Sequence, residues 1–301
     1  MPLRLRPLHP LFAAEATGLD LARPLAPEEV RAVVAAMDRH AVLVFPGQPL
    51  GQEGQVAMAR QFGPLNPGLK QIGKQPERLR EAALIDISNL GADGRPLGRD
   101  SRKVVSNIAN QLWHSDSSFQ APAVSYSMLS AVTLPSWGGE TEFADLRAAW
   151  DALPERPRRA VEGLEAEHFA LHSRMTLLGD TGYTEAQQAA LPPVVWPLVR
   201  THPGSGRKAL FCGVHARRII GMGLAEGRML LMDLLEHATR PEFVYRHAWR
   251  VGDLVMWDNR CTLHRGRRYD LSEPRELRRT TCDEVPIGLT PAGSAPADAA
   301  E

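Results

Sequence analysis

Apolar positions along the chain recur with two spacings, which predict a mixture of helices and short strands. Residues 27–40 open with Pro27 and two glutamates and continue as VRAVVAAMDRH, the spacing of an amphipathic helix. The same spacing predicts helices at 51–62, 145–153 and 224–239. Short β-rich runs closed by turn residues predict strands at 41–45, 83–89, 125–134, 199–202, 208–214, 244–251, 253–258 and 261–265.

Many short strands with a few longer helices between them predict a mainly β fold with helices. We expect a double-stranded β-helix (jelly-roll) core with helical insertions. No internal repeat is visible, and residues 1–288 are predicted to form a single domain. Residues 289–301 contain no large apolar side chain, so we expect a disordered tail there.

Composition narrows the class of protein. The 301 residues include 35 basic and 35 acidic side chains, a formal net charge of 0, and 44% are apolar, which is enough for a core without disulfides. This balance argues against a nucleic-acid or anionic-membrane partner, and no apolar run approaches the roughly 18 residues of a spanning helix. The three cysteines form no Cys-x-x-Cys pair and no signal peptide is recognisable, so we expect free thiols in the cytoplasm.

Two motifs carry candidate metal ligands. If WHSD (113–116) is a strand, His114 and Asp116 point to one face, about 6.6 Å apart along the chain, although such a pair alone is a weak signal. WDNRCTLH (257–264) brings His264 to the end of a predicted strand. Two histidines and one carboxylate make the facial triad of a non-haem Fe(II) oxygenase, with positions left open for O₂. The net +1 charge of such a site favours an anionic chelating co-substrate.

Basic side chains follow the second motif. In a strand, Arg275 and Arg279 share one face with Cα atoms about 13 Å apart, so near a metal they can clamp two different carboxylates. On pattern alone, a solvated basic edge is the favoured interpretation. The paired glycines before Thr141 permit a tight turn, and Thr141 either donates a hydrogen bond to a carboxylate or is an ordinary loop residue.

Together these motifs resemble the taurine dioxygenase family of Fe(II)/2-oxoglutarate-dependent dioxygenases. The resemblance rests on WHSD, on GGET with its threonine 27 residues after His114, on WDNRCTLH, and on arginines 11 and 15 residues after His264. It runs from about residue 8 to about residue 285 and is closest to the members that act on aryloxyacetates. Asp116 speaks against the halogenating relatives, in which a small residue frees a site for chloride.

The resemblance implies a site and its cofactors. It implies Fe(II) as the metal, with 2-oxoglutarate and O₂ as co-substrates. The metal ligands that it implies are His114, Asp116 and His264. The residues implied around 2-oxoglutarate are Arg275, Thr141 and Trp249. The residues implied at the primary substrate are Arg279 on its carboxylate, Asn110 beside it, and Lys70 in a loop that covers the site.

The implied reaction hydroxylates an aryloxyacetate next to its ether oxygen, as in herbicide catabolism. The product collapses to a phenol and glyoxylate, while 2-oxoglutarate gives succinate and CO₂. The implied substrate is therefore a small anionic aromatic compound, and the implied assembly is a homo-oligomer.

Three other functions remain open at this point. The same mechanism can act on taurine, on another alkylsulfonate or on another small carboxylate, because specificity lies in the pocket away from the metal. A zinc hydrolase can use the same three ligands with a metal-bound water. A barrel-type binding module would bind ligands without catalysis.

Four further histidines have no assigned role. His168 and His172 are four residues apart, as on one helix face, and a surface or lid position is favoured over a metal site. His202 and His215 flank a predicted hairpin, where each either lines the substrate pocket or makes structural hydrogen bonds.

Overall fold

The computed structural model describes residues 2–68, 78–179 and 183–284 of the chain. Lys70 and the predicted tail at 289–301 lie outside the described residues. The helices α1 to α8 are Pro27–His40, Gln52–Arg60, Arg102–Ile108, Leu146–Ala152, Glu155–Val161, His172–Leu178, Glu185–Ala189 and Leu224–Ala238, and the 3₁₀ helices are Ala109–Gln111 and Pro241–Phe243.

Strands form two main sheets and two further ones. The strands β1 to β15 are Arg4–Pro7, Ala14–Thr17, Val42–Phe45, Ile85–Ser88, Val124–Thr133, Thr141–Asp145, Glu165–His168, Val194–Pro197, Val199–Thr201, Lys208–Leu210, Ala216–Ile219, Val244–His247, Leu254–Asp258, Thr262–Gly266 and Glu276–Asp283. The large sheet has the order β1-β2-β3-β13-β5-β15-β4, and the second main sheet has the order β12-β6-β14. Two further sheets, of three and two strands, have the orders β11-β7-β8 and β10-β9.

Alternating side chains of the large sheet build an apolar core on each of its faces. On β3, Val42 and Val44 join the cluster that contains Phe143 of β6, so this face packs against the second sheet. Leu43 and Phe45 point the other way, into a cluster with apolar side chains of α1 and α2. The strand period of two thus places one layer of helices outside the large sheet.

The second sheet is covered in the same way. Ala144 of β6 and Leu263 of β14 share an outer cluster with Leu231 of α8 and the apolar side chains of α4. The architecture is therefore helix, sheet, sheet, helix, with strands and helices in four layers. At the facing edges of the two sheets, side chains from both sheets meet in the space between them. The residues there are polar, in contrast to the apolar core.

Most predicted elements are confirmed, with shorter bounds. α1 spans the predicted residues 27–40, and the strand predicted at 125–134 is β5. The strands predicted at 208–214 and 244–251 end earlier, at Leu210 and His247. The pattern missed β1, whose four residues are all exposed, because an exposed edge strand needs no apolar alternation. None of the described helices combines the length and the apolar character needed to cross a bilayer.

Candidate active site

The two motifs with candidate metal ligands are joined by a pair of backbone hydrogen bonds. His114 N donates to His264 O at 3.0 Å, and His264 N donates to His114 O at 2.8 Å. WHSD is not a strand, because His114 lies in an isolated bridge and Asp116 begins a turn. Ser117 in that turn has φ 45°, so the chain bends away immediately after the carboxylate.

The three predicted ligands are nevertheless brought together. His114 Nε2 lies 3.9 Å from Asp116 Oδ1, and His264 Nε2 lies 3.8 Å from Asp116 Oδ2. All three residues are buried, and their candidate ligand atoms lie within 4.8 Å of one another. This donor set, two imidazoles and one carboxylate, suits a divalent transition metal.

Hydrogen bonds from Ser127 on β5 and from Asn259, in the turn after β13, orient Asp116. Ser127 Oγ on β5 donates to Asp116 Oδ2 at 2.7 Å, and Asn259 Oδ1 accepts from the Asp116 backbone N at 3.0 Å. Asn259 also donates through Nδ2 to Ser127 Oγ at 2.9 Å and accepts from Trp257 Nε1 at 3.0 Å. One asparagine therefore fixes both the backbone and the hydroxyl that hold the carboxylate.

The charge state of the three residues fits metal binding. Burial would raise the pKa of Asp116, but Arg279 and the two histidines beside it lower that pKa to about 2. Burial lowers the pKa of His114 and, with the neighbouring His114 ring, holds the pKa of His264 well below its usual value. The carboxylate is thus ionised and both imidazoles are neutral near pH 7, as ligands must be.

The tautomer of one histidine is fixed by the backbone. The 2.7 Å contact between His114 Nδ1 and Leu112 O assigns the ring proton to Nδ1, because a carbonyl only accepts. His114 Nε2 is buried without a partner among the described residues, so its lone pair is free for a metal. His264 Nδ1 also has no partner there.

A cavity on one side of the triad, here called the Arg275 cavity, contains the candidate co-substrate residues. Its lining includes His114, Thr141, His264, Tyr269, Arg275 and Arg279. Arg275 is buried, donates from Nη2 to Gly139 O at 3.0 Å and lies over the Tyr269 ring, and its Nε has no partner in the described structure. Burial lowers the pKa of Arg275 to about 10, so it remains cationic near pH 7.

Thr141 and the glycines before it shape the same cavity. Thr141 begins β6 and accepts a hydrogen bond from Trp249 Nε1 at 3.0 Å, which leaves its hydroxyl proton free to donate. Trp249 lies outside the cavity lining and acts only through Thr141. At Gly139, with φ 76°, a Cβ would lie 2.9 Å from Arg275 Nε. The glycine therefore makes room for the arginine.

A second cavity, here called the His215 cavity, opens on the other side of the triad. Its lining includes Asn110, Phe119, Arg174, His215 and Arg279 together with His114 and Asp116. Asn110, His114 and Arg279 line both cavities. Pro67 and Gly68 also border the His215 cavity, and Lys70 follows them outside the described residues.

The interpretation of the two arginines as a solvated edge is wrong. Arg275 is only 6% exposed, and Arg279 Nη1 forms a short ion pair with Asp116 Oδ1. The sheet pairing explains the difference, because β15 lies between β5 and β4 rather than at an edge. Arg279 reaches the triad region from the inward face of β15, which Leu277 shares, and Arg275 immediately precedes that strand.

The four histidines without an assigned role differ in their surroundings. His168 lies on β7 and His172 begins α6, so the prediction of one shared helix face is wrong, and His168 is buried rather than superficial. His202 is structural: Nε2 lies 2.9 Å from Asp258 Oδ2 and Nδ1 lies 2.9 Å from Ser205 Oγ. Of the histidines without an assigned role, His215 lines the second cavity.

Sequence reasoning missed several residues of the site. Asn259 stands inside the WDNRCTLH motif, and Ser127 interrupts an apolar strand with a polar side chain on a buried face. Nothing in the sequence pattern pointed to Tyr269, or to Asn89, whose Oδ1 accepts from Arg275 N at 2.9 Å. A buried polar residue in an apolar strand is the one local clue that was available.

Comparison with known proteins defines the class. The sequence matches the family described as "Taurine catabolism dioxygenase TauD, TfdA family" over residues 4–281. The chain therefore belongs to this family.

Individual relatives match over nearly their full length. The chain is 62% identical over 282 residues to the alpha-ketoglutarate-dependent 2,4-dichlorophenoxyacetate dioxygenase of Cupriavidus pinatubonensis, covering 93% of this chain and 98% of the relative. It is 37% identical to the (S)-phenoxypropionate/alpha-ketoglutarate-dioxygenase of Sphingobium herbicidovorans, covering 89% and 91% respectively. The crystal structure of AAD-2 in complex with Mn(II) and N-oxalylglycine superposes with a TM-score of 0.90 at 47% identity, covering 95% of this chain and 99% of that one.

Metal binding tests the triad directly. His264→Ala should raise the Kd for Fe(II) or Mn(II) by more than about 100-fold, since it removes a ligand, and Ser127→Ala should raise it about 10- to 100-fold by releasing Asp116. Cys261→Ala, in the other buried cluster with metal-type side chains, should leave the Kd unchanged. Anaerobic calorimetry measures all three, and full-affinity binding by the His264 variant would contradict the assignment.

Proposed function

We propose that the protein is an Fe(II)- and 2-oxoglutarate-dependent dioxygenase that hydroxylates aryloxyacetates of the 2,4-dichlorophenoxyacetate type next to the ether oxygen. The products are a phenol and glyoxylate, together with succinate and CO₂. One observation carries the proposal: two cavities meet at a buried His-Asp-His cluster, and each contains an arginine. The identity to the 2,4-dichlorophenoxyacetate dioxygenase supports the choice of substrate.

The residues present fit the metal and the keto acid. His114 offers an unpaired buried Nε2, and His264 and Asp116 complete the donor set. When bound, Fe(II) with 2-oxoglutarate and O₂ supplies an oxidant for an unactivated C–H bond. N-oxalylglycine, bound with Mn(II) in the AAD-2 structure, differs from 2-oxoglutarate only by NH in place of CH₂, which supports 2-oxoglutarate as the co-substrate.

The protein orients both acids by charge. In the Arg275 cavity, Arg275 binds the distal carboxylate of 2-oxoglutarate, Thr141 donates its free hydroxyl proton to that carboxylate, and Trp249 fixes the hydroxyl. In the His215 cavity, Arg279 binds the carboxylate of the aryloxyacetate with Asn110 beside it. A role of Lys70 at the substrate stays a prediction, because that residue lies outside the described ones. Anchoring the carboxylate leaves the adjacent carbon as the one nearest to the metal, and this proximity selects the site of hydroxylation.

The other candidate functions are less well supported. Neither a zinc hydrolase nor a binding module explains why the buried Arg275 lines one cavity while Arg279 lines both. Turnover of taurine is the nearest competitor, because the family takes its name from it. Phe119, Ile85 and Val214 add apolar surface to a lining that is otherwise largely polar, and an aryl ring can pack against them where a small sulfonate has no such contact.

Three further features of the organisation are proposed. The two main sheets face each other, which supports a double-stranded β-helix core within one domain of residues 1–288. Residues 289–301 would form a disordered tail. Three buried free cysteines support a cytoplasmic location. Exposed apolar side chains on α8 (Leu224, Met229 and Met232) offer a surface for a homo-oligomer. Limited proteolysis and analytical ultracentrifugation test the tail and the assembly.

A turnover panel tests the proposed function. Phenol and succinate should form in equal amounts from 2,4-dichlorophenoxyacetate, and only when Fe(II), 2-oxoglutarate and O₂ are all present. Chromatography with mass detection quantifies both products. Turnover of taurine without phenol release from any aryloxyacetate would replace the proposed substrate, and phenol release with Zn(II) alone would overturn the mechanism.

The two arginines should separate kinetically. Arg275→Ala should raise the KM for 2-oxoglutarate and Arg279→Ala the KM for the aryloxyacetate, since each loses a charge-assisted contact of about 2–4 kcal/mol, roughly 30-fold or more in KM. Steady-state kinetics with each acid varied in turn measures both values. The opposite pattern would mean that the two roles are exchanged.

Gly139 and Gly94 provide a matched pair, since both have φ 76°. Alanine at either position should cost about 1–2 kcal/mol of unfolding free energy from backbone strain. Only at Gly139 does the new Cβ meet Arg275, whereas nothing lies within 4 Å at Gly94. Gly139→Ala alone should therefore raise the KM for 2-oxoglutarate, by about tenfold or more.

Urea unfolding and KM measurements on both glycine variants make this comparison. An equal change of KM in Gly139→Ala and Gly94→Ala would show that the close approach of Gly139 to Arg275 is irrelevant to the co-substrate.

A further inference from the structure

His215 is a buried histidine on the wall of the His215 cavity, and the proposed reaction leaves it without a role. The residue is 7% exposed, and its Nδ1 is buried without a hydrogen-bond partner among the described residues. Arg174 and Phe119 line the same wall. Buried polar nitrogens are normally paired, so this position needs a reason other than packing.

Aromatic contacts hold the ring in a fixed orientation. The His215 ring meets Phe119 edge-on with centroids 4.8 Å apart, and it meets the His114 ring edge-on at 6.1 Å. Its backbone carbonyl accepts from Phe169 N at 2.9 Å. Because His114 is one of the three candidate metal ligands, a substrate atom facing His215 lies close to the carbon that reacts.

The chemistry of the His215 imidazole restricts which kind of substrate atom can face it. A neutral imidazole carries one N–H donor and one bare nitrogen. Nδ1 is enclosed by protein, so Nε2 is the nitrogen that a ligand in the cavity can reach, and the proton is best placed there. An aryloxyacetate has acceptors on both sides of its reacting carbon: the carboxylate, which is assigned to Arg279, and the ether oxygen.

We infer that His215 is a specificity-determining residue that donates a hydrogen bond from Nε2 to the ether oxygen of the substrate. The enzyme thereby selects aryloxy acids over acids in which a methylene group replaces that oxygen. An acid without the ether oxygen leaves the buried N–H unpaired, which is how a polar site rejects an analogue of nearly the same shape. This inference rests on the proposed function, because it takes an aryloxyacetate as the substrate.

Equilibrium binding to a complex that cannot turn over tests the inference. The full chain is loaded with Mn(II) and N-oxalylglycine, and calorimetry measures the Kd of phenoxyacetate and of 3-phenylpropionate. The wild type should bind phenoxyacetate about 10- to 100-fold more tightly. In His215→Phe the two affinities should differ by less than about threefold, and His215→Gln, which keeps an N–H donor, should retain part of the preference.

His168→Gln is the matched control, since His168 is also buried, lines neither cavity and has one ring nitrogen without a partner among the described residues. It should keep the wild-type preference. Equal affinities in the wild type, or an undiminished preference in His215→Phe, would overturn the role of His215 while leaving the proposed function intact. If His215→Phe does not fold, the affinities of the wild type and of His215→Gln for the two acids test the role of His215 in the same way. Failure of the loaded wild type to bind either acid would overturn the proposed function as well.

Discussion

The site depends on the backbone pairing of His114 with His264. These two hydrogen bonds extend the second sheet by one short segment and bring two distant parts of the chain into register. Asn259 adds a contact across 143 residues of sequence, from its side chain to the Asp116 backbone. Together with Ser127 and Arg279, this junction holds the Asp116 carboxylate beside the two imidazoles.

Charge is balanced around one carboxylate. Asp116 accepts from Ser127, pairs with Arg279 and faces both histidines, and these contacts outweigh its burial and keep it ionised. Arg279 belongs to both cavities, so the residue proposed to hold the substrate also touches a proposed metal ligand. Substrate binding and the environment of the metal are thereby coupled through a single guanidinium group.

Residue types and spacings along the chain predicted the chemistry better than the local conformation. Two histidines, one aspartate and two arginines were identified from motifs, yet WHSD is a bridge and a turn rather than a strand. A turn can bring neighbouring side chains to one point as well as a strand does, so the three candidate ligands still meet although the segment is not a strand. The burial of Arg275 was not predictable, because the sequence does not show that β15, the strand after it, pairs with β4 as well as with β5.

Other parts of the site depend on pairing that a single sequence does not display. Asn259 and Ser127 act through a contact between segments far apart in the chain, and the neighbours of His215 come from two further segments, one with His114 and Phe119 and one with Phe169. The four-residue spacing of His168 and His172 predicted a helix, but β7 ends at the first of them because that segment pairs with β8 and β11. Tertiary pairing overrides local periodicity in such short segments.

Anomalous diffraction from crystals grown anaerobically with Fe(II), measured at the iron absorption edge, tests the three-ligand site most directly. We expect a single strong peak within roughly 2 Å of the Nε2 atoms of His114 and His264 and of one carboxylate oxygen of Asp116. A peak held by other residues, or iron bound while any of these three side chains points away from it, would show that these residues do not form the metal site.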